Sequence, residues 1–331
     1  MTLDYKIRYI KAKELLILQN FIKHNYSKNH IMTKNQKIIN FFYNFNDSKN
    51  LNFIGCFKKN ELLAVLGLTT TKNWDISLKK NYFISLMVKS SKIKNDVFFK
   101  FLLFVFKNIK PDFLGCLGFN KKIKIILDKI GLCKTMKHYY IKNIHSKEKV
   151  SKNLKLKVNK KKNNLKFIIF KRLNQIPKSN STPQKSIKYY NNKYSNNPFY
   201  KYFFINFYNK DKFLFFFVVR KIKIKSLKTN IMRIVDMYGN IKKNNNILRQ
   251  INILLDKNKA EYIDFMNYGI DEKILLSIGF KKKNNKQLIP NFFEPFIKKN
   301  ENLDLCILLN KYKKNVIINK ADGDQERPNT L

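Results

Sequence analysis

The chain has 331 residues, of which 44% are hydrophobic, with 29 Phe, 17 Tyr and only 9 Gly. That length suits two domains rather than one, and that apolar content excludes wholesale disorder. The formal charge is +46, but only six of the 68 basic residues are Arg, the residue suited to bidentate phosphate and base contacts. Lys, Asn, Ile, Phe and Tyr share A/T-rich codons, so their joint excess reads as compositional drift over exposed positions.

In chain order, residues 12–24 have helical spacing, with Leu15, Leu16, Leu18, Phe21 and Ile22 on one apolar face. Residues 53–58 and 62–70 read as a hairpin around Lys59, Asn60 and Glu61, and 83–88 as a third strand. A helix over 97–107 is closed by Pro111, which cannot continue it. Then come a buried strand over 113–119, a helix over 122–130 and a strand over 138–141. The lysine-rich run 152–166 reads as a solvated linker or hairpin, and the Pro/Ser/Asn-rich stretch 177–198 as a loop or lid. Residues 202–207 and 213–221 form a second hairpin around Asn209, Lys210 and Asp211. A strand over 231–238, a helix over 246–255, a strand over 262–267, a helix over 271–278 and a strand over 303–309 complete the order. Antiparallel strands followed by strand, helix, strand, helix and strand give a mixed α/β sheet with helices on both faces.

Part of this order is written twice. The run 112–120, followed by a short helix and Ile130, Gly131 and Leu132, returns about 148 residues later as 261–268, a helix and Ile278, Gly279 and Phe280. The same offset lays 84–88 on 232–236. Duplicated domains follow, at 1–150 and 151–310, with an acidic tail motif at 311–331.

Cys56, Cys116, Cys133 and Cys306 have no C-x-x-C spacing and no His nearby in sequence, so no metal is expected and the thiols read as reduced. The start lacks a signal-peptide core, and the apolar runs 101–106 and 213–219 are too short to cross a bilayer. The expectation is a soluble cytoplasmic protein without a transmembrane segment. No P-loop, H-E-x-x-H motif or Ser-His-Asp order is present.

The hairpin 54–67 and the two Ile-Gly helix endings resemble the GCN5-related N-acetyltransferase (GNAT) fold, in tandem over most of 5–310. A finer resemblance is to tandem GNAT-like proteins of bacterial surface-polysaccharide biosynthesis. It is carried by 110–113, 138–140, 197–202, 233–236, 261–265, 268–271, 289–296 and above all the tail 320–329. The resemblance implies two mixed, mostly antiparallel sheets flanked by helices, and acyl transfer from acyl-CoA to an amino sugar or nucleotide-sugar precursor.

The family holds the CoA pyrophosphate on backbone N–H groups of a Gly-containing loop at a helix N-terminus. Here that loop would be 89–96, without glycine, or 238–245, with Gly239 alone. A tyrosine that protonates the leaving thiolate in the family falls on Leu127 and Leu275. The first domain therefore reads as a degenerate copy and the second as the catalytic one. Its donor would lie between strands 231–238 and 262–267, on Met237, Tyr238, Gly239, Asn267 and Tyr268. Asp236, at the end of its strand, and Glu294, between Pro290 and Pro295, are the candidate bases for removing the acceptor's ammonium proton. Asp264, Asn291, Asp322, Asp324 and Arg327 are the candidate substrate contacts. Each acid also has a structural reading, as an ion-paired or solvated group. Three other readings stay open: a non-catalytic scaffold of the same fold, an aminoacyl-tRNA-dependent transferase, and a nucleic-acid-associated protein suggested by charge alone.

Overall fold

A computed structural model of the chain describes residues 5–44, 49–157, 165–242, 246–299, 301, 303–308 and 315–329. The chain forms two compact units: Met1–Cys133 with Leu305–Asn310 and Gly323–Leu331, and Lys134–Asp304 with Lys311–Asp322. These do not follow the expected segments 1–150, 151–310 and 311–331. The strand expected to end the first domain belongs to the second unit, and the tail divides after Asp322.

The first unit runs β1 (Tyr5–Lys11), α1 (Leu15–Asn25), α2 (Gln36–Tyr43), β2 (Asn50–Lys58), β3 (Glu61–Thr70), β4 (Asn81–Lys89), α3 (Val97–Phe104), β5 (Phe113–Leu117) and α4 (Lys121–Lys129). Its sheet has the order β1-β2-β3-β4-β5, antiparallel except for the β4–β5 pair. Residues 305–307 add an antiparallel strand on β5. β2 and β3 are buried at almost every position, which is why their sequences read as continuous apolar runs rather than alternating ones. Val97 and Phe101 of α3, with Val105 and Ile109 of the wider turn that prolongs it, pack with Ile54, Leu66 and Tyr82. α1 buries Leu18, Phe21 and Ile22 but leaves Leu16 exposed, against expectation. α2, which the sequence reading did not anticipate, is capped by Asn35, whose side chain accepts from Ile38 N.

A short strand, β6 (Cys133–Thr135), lies where the units divide. The second unit then runs β7 (Lys137–Lys142), β8 (Leu165–Phe170), α5 (Ile187–Tyr190), β9 (Tyr202–Asn209), β10 (Lys212–Ile224), β11 (Thr229–Gly239), α6 (Leu248–Lys257), β12 (Ala260–Tyr268), α7 (Glu272–Ile278) and β13 (Lys281–Lys282). A small ribbon, β14 (Phe292–Phe293) with β15 (Phe296–Ile297), precedes β16 (Asp304–Ile307) and β17 (Ile318–Asn319). From Leu305 onward, β16 is the strand already described on β5. The sheet order is β13-β7-β12-β11-β10-β9-β8, with β11–β12 parallel and β17 also paired to β12. One face packs on α6 and α7 through Ile251, Leu255, Leu275 and Ile278; Tyr140, Ile231, Tyr262, Ile289 and Phe293 form a separate cluster.

One expectation needs correcting here. The stretch 177–198 is not a lid: α5 and the turn Asn191–Ser195 bury Tyr189, Tyr190 and Tyr194, and Tyr190 packs edge-on against Phe204 and Phe216. The run 152–166 leads into the edge strand β8, although its residues 158–164 lie outside the described residues. Among the described residues, no helix is long and apolar enough to cross a membrane.

Candidate functional site

Among the described residues each unit has one parallel strand pair, and in each that pair comes apart. In the first unit, β4 and β5 are in register from Asn81 with Phe113 to Ile84 with Cys116, and no further. At this level β4 carries one residue too many against β3: Leu68 faces Ile84 and Gly67 faces Leu86, leaving Ser85 as the bulge. A bulge bends its strand and raises the local twist, so β4 swings away from β5. Backbone groups alternate in direction along a strand, and every second N–H and C=O beyond Ile84 therefore faces the gap rather than β3.

The gap is a cavity of about 210 Å³. Ser85, Leu86 and Met87 of β4 line it, with Phe98 of α3, Ile123 and Leu127 of α4, and Tyr26, Cys116, Phe119, Cys306 and Leu308. α4 is set by Asn120, whose side chain accepts from Ile123 N at 3.0 Å. Leu127, which stands where the family resemblance asks for a proton donor, is buried against the cavity. The loop into α3 folds on itself. Lys89 Nζ donates to the carbonyls of Ser90 and Ile93, and Phe98 N and Lys100 N donate to Asn95 O and Asp96 O.

The polar groups at this cavity are few. Ser85 Oγ donates to Gly67 O at 3.0 Å. Burial pushes the Cys306 thiol up to about 12, with Cys133 adding to it, and burial with Cys306 pushes Cys116 higher still. Both stay protonated at neutral pH, which disfavours a thiolate nucleophile. The Tyr26 ring meets His30 at 5.2 Å between centroids. His30 Nε2 accepts from Arg327 at 3.2 Å, so its ring hydrogen sits on Nδ1. Burial, then the Arg327 charge, pull His30 down to about 4. Arg327 Nε donates to Asp324 Oδ2 at 2.7 Å, and Tyr43 donates to the same oxygen at 3.1 Å. Asp324 and Arg327, expected as substrate contacts, are thus paired with each other.

In the second unit the parallel pairing of β11 and β12 ends at Ile234 with Phe265, again beside a bulge, this time at Val235. Here the gap is filled. β17 takes the freed edge of β12, Asn319 opposite Asn267 and Ile318 opposite Tyr268, while Ile317 N donates to Thr182 O. Gly269, at φ +95°, permits this: a Cβ there would lie 1.7 Å from Val316 O. Gly239, expected to cradle a donor, is instead a tight packing point where a Cβ would meet Leu214 O at 2.5 Å.

A buried ion cluster holds the segment. Lys185 Nζ lies 2.7 Å from Asp236 and 2.5 Å from Asp322. Asp236 also accepts from Asn319, Tyr194 and its neighbour's backbone, Met237 N. Lys193 donates to Tyr189 and to Ala321 O. Burial works against the Lys185 charge, but Asp236 and Asp322 outweigh it and hold its pKa above the ordinary value. Burial, opposed by Lys185, pushes Asp236 up. Asp236, Met237, Tyr238, Asn267 and Asp322 are all buried; Asp236 secures a strand and does not face an acceptor. The second-unit cleft expected from the sequence is therefore closed, by residues 315–322 of the same unit. Part of the expected phosphate loop, 243–245, lies outside the described residues.

Asp264 and Asn291 belong to another buried network. Arg233 donates to Asp264 and to the carbonyls of Pro290 and Asn291, and His138 Nε2 lies 2.8 Å from Asp264. Burial would raise Asp264, but Arg233 and His138 hold it well below the usual carboxylate range. The Asp264 carboxylate is thus held between Arg233 and His138 in the buried interior. Glu294 is the most open of the expected acids, its side chain 39% exposed, accepting from Tyr200 and 3.9 Å from Arg220. Sequence reasoning missed Lys185, Tyr194 and Asn319; Lys185 lay in a stretch whose Pro and Ser content signalled a loop.

No protein-family profile matches the chain, and no curated protein does. Solved structures do. A GCN5-related N-acetyltransferase from Anabaena variabilis matches with a TM-score of 0.50 at 8% identity, over 91% of this chain and 72% of that one. A conserved protein of unknown function from Enterococcus faecalis, described as a probable N-acyltransferase, matches with a TM-score of 0.50 at 8% identity, over 92% and 73%. The fold is that of the GCN5-related N-acetyltransferases.

Proposed function

We propose that this chain is an acyltransferase whose donor, an acyl-CoA thioester, lies in the first unit between β4 and β5. The observation that carries the reading is the cavity at the point where the parallel pair opens. Its fit to the donor is mixed. The gap-facing backbone of β4 suits an extended chain bearing amides, such as a pantetheine arm, which would pair as a strand does. The apolar wall of Phe98, Ile123 and Leu127 suits its methylenes. The loop 89–96, without glycine and bonded within itself, offers the pyrophosphate less than the family's usual loop does.

The chain's own groups then have definite tasks. β4 orients the thioester carbonyl, and the apolar wall excludes water from it. Leu127 cannot return a proton to the departing sulfur, so Tyr26, whose ring borders the cavity, takes that role; as the C–N bond forms and the C–S bond breaks, the proton lost by the amine passes through solvent and restores the Tyr26 hydroxyl. His30 stays neutral at physiological pH and fixes the Tyr26 ring. The acceptor in this reading is an amine on a sugar or nucleotide-sugar precursor for surface polysaccharide, and this part rests on the tail resemblance alone.

Isothermal titration of the whole chain with acetyl-CoA and longer acyl-CoAs tests the donor. One site per chain is expected. No heat with any thioester counts against the proposal, and two equal sites would return a donor to the second unit. Transfer of labelled acetyl to amino sugars then tests the acceptor.

A further inference from the structure

Helix α3 is apolar on both sides. Its inner stripe, Val97, Phe101 and the following Val105, is buried in the first unit's core. Its outer stripe is not: Phe99 is 65% exposed, Leu103 69% and Phe106 39%. Phe99 and Leu103 stand at i and i+4, one above the other on α3, and Phe106 follows in the wider turn that prolongs it. A helix that is apolar all round is normally covered all round, and an exposed patch of aromatic and aliphatic residues marks an interaction site. The surrounding charges are basic. Lys94, Lys107 and Lys110 are exposed, and the one acid at the helix start, Asp96, is paired with Lys100 at 3.1 Å.

We propose that this face docks on an anionic lipid bilayer surface. An apolar stripe bordered by lysines is the composition of a helix that lies in the bilayer interface, with its rings among the acyl chains and its ammonium groups at the headgroups. Charge complementarity chooses this occupant over a second copy of the chain, because two copies of this face would bring Lys94, Lys107 and Lys110 against their like. Nucleic acid would use the lysines but would leave Phe99 and Leu103 in water. Phe98, next to the stripe, lines the β4–β5 cavity, so docking would bring the cavity rim close to the lipid.

Co-sedimentation of the full chain with vesicles tests this. Binding is expected to vesicles of phosphatidylglycerol and phosphatidylcholine in equal parts, and not to phosphatidylcholine alone. The double variant Phe99→Ser/Leu103→Ser keeps every charge, and its partitioning should fall at least roughly tenfold through lost apolar burial. Lys107→Gln/Lys110→Gln should weaken binding up to roughly thirtyfold, at about 1 kcal/mol for each lysine near the surface. Ile168→Ser/Ile169→Ser, at two exposed residues of the second unit, should change nothing. The proposal is overturned if the mixed vesicles are not bound. It also fails if Phe99→Ser/Leu103→Ser binds like the parent, since charge alone would then explain attachment. A dimer in light scattering that the same variant dissolves would assign the face to a second copy and overturn it too.

Discussion

The two parallel strand pairs are built alike and end differently. In both, a bulge follows the last paired residue, at Ser85 and at Val235, and the strands part. In the first unit the opening is a cavity walled by Phe98, Ile123 and Leu127. In the second it holds β17, locked by Lys185 between two carboxylates. A split strand pair thus creates a place for a strand-like object; whether that object is a ligand or the chain's own tail depends on side chains remote in sequence.

The largest effect should come from breaking the lock. Lys185→Met leaves Asp236 and Asp322 buried without their cation, and removing one partner of a buried pair costs about 3–5 kcal/mol. Urea denaturation should show that loss, and a change under about 1 kcal/mol would mean the cluster is solvated. Next is the open gap. Leu127→Trp adds bulk to its wall and should weaken acyl-CoA binding more than tenfold in calorimetry while the fold survives. Binding unchanged by it would move the donor elsewhere.

A smaller effect concerns pH. Burial lowers both His30, to about 4, and His138, so the folded protein resists protonating either one. The unfolded chain takes up those protons near the ordinary value of about 6.5, so the stability from keeping them neutral is complete above that pH and declines as pH falls below it, for His30 toward about 4. Melting temperature should drop between neutrality and pH 5, with a shallower slope in His30→Gln; a flat profile would contradict the burial of both rings. The smallest effect is expected at Glu294. Its partly exposed carboxylate sits 3.9 Å from Arg220, and Glu294→Gln should move stability by less than about 1 kcal/mol.

Much of the fold was legible because its signals are local. The hairpins announce themselves by apolar runs around Lys59 and Lys210, both in left-handed turns, and the helix ends by Gly131 and Gly279 at positive φ. The β4 and β11 strands and the helices after them fall within a few residues of expectation. What could not be read was long-range. That β7 pairs with β12 and that 305–307 pair with β5 depends on strand partners far apart in the chain. The same holds for the site. Asp236 at a strand end has the sequence signature of an accessible base, and nothing local reveals Lys185, 51 residues earlier, or Asn319, 83 residues later. The first unit was discounted for Leu127 and a missing glycine, yet the cavity depends on a bulge at Ser85 that no residue type announces.

Backbone hydrogen exchange of the whole chain, with and without acyl-CoA, tests most directly where the donor binds. Slowed exchange along the β4 residues after Ile84 and in α4, with β11 and β12 unchanged, is the predicted result. Protection of Met237–Gly239 and Asn267, with the first unit unaffected, would contradict the account.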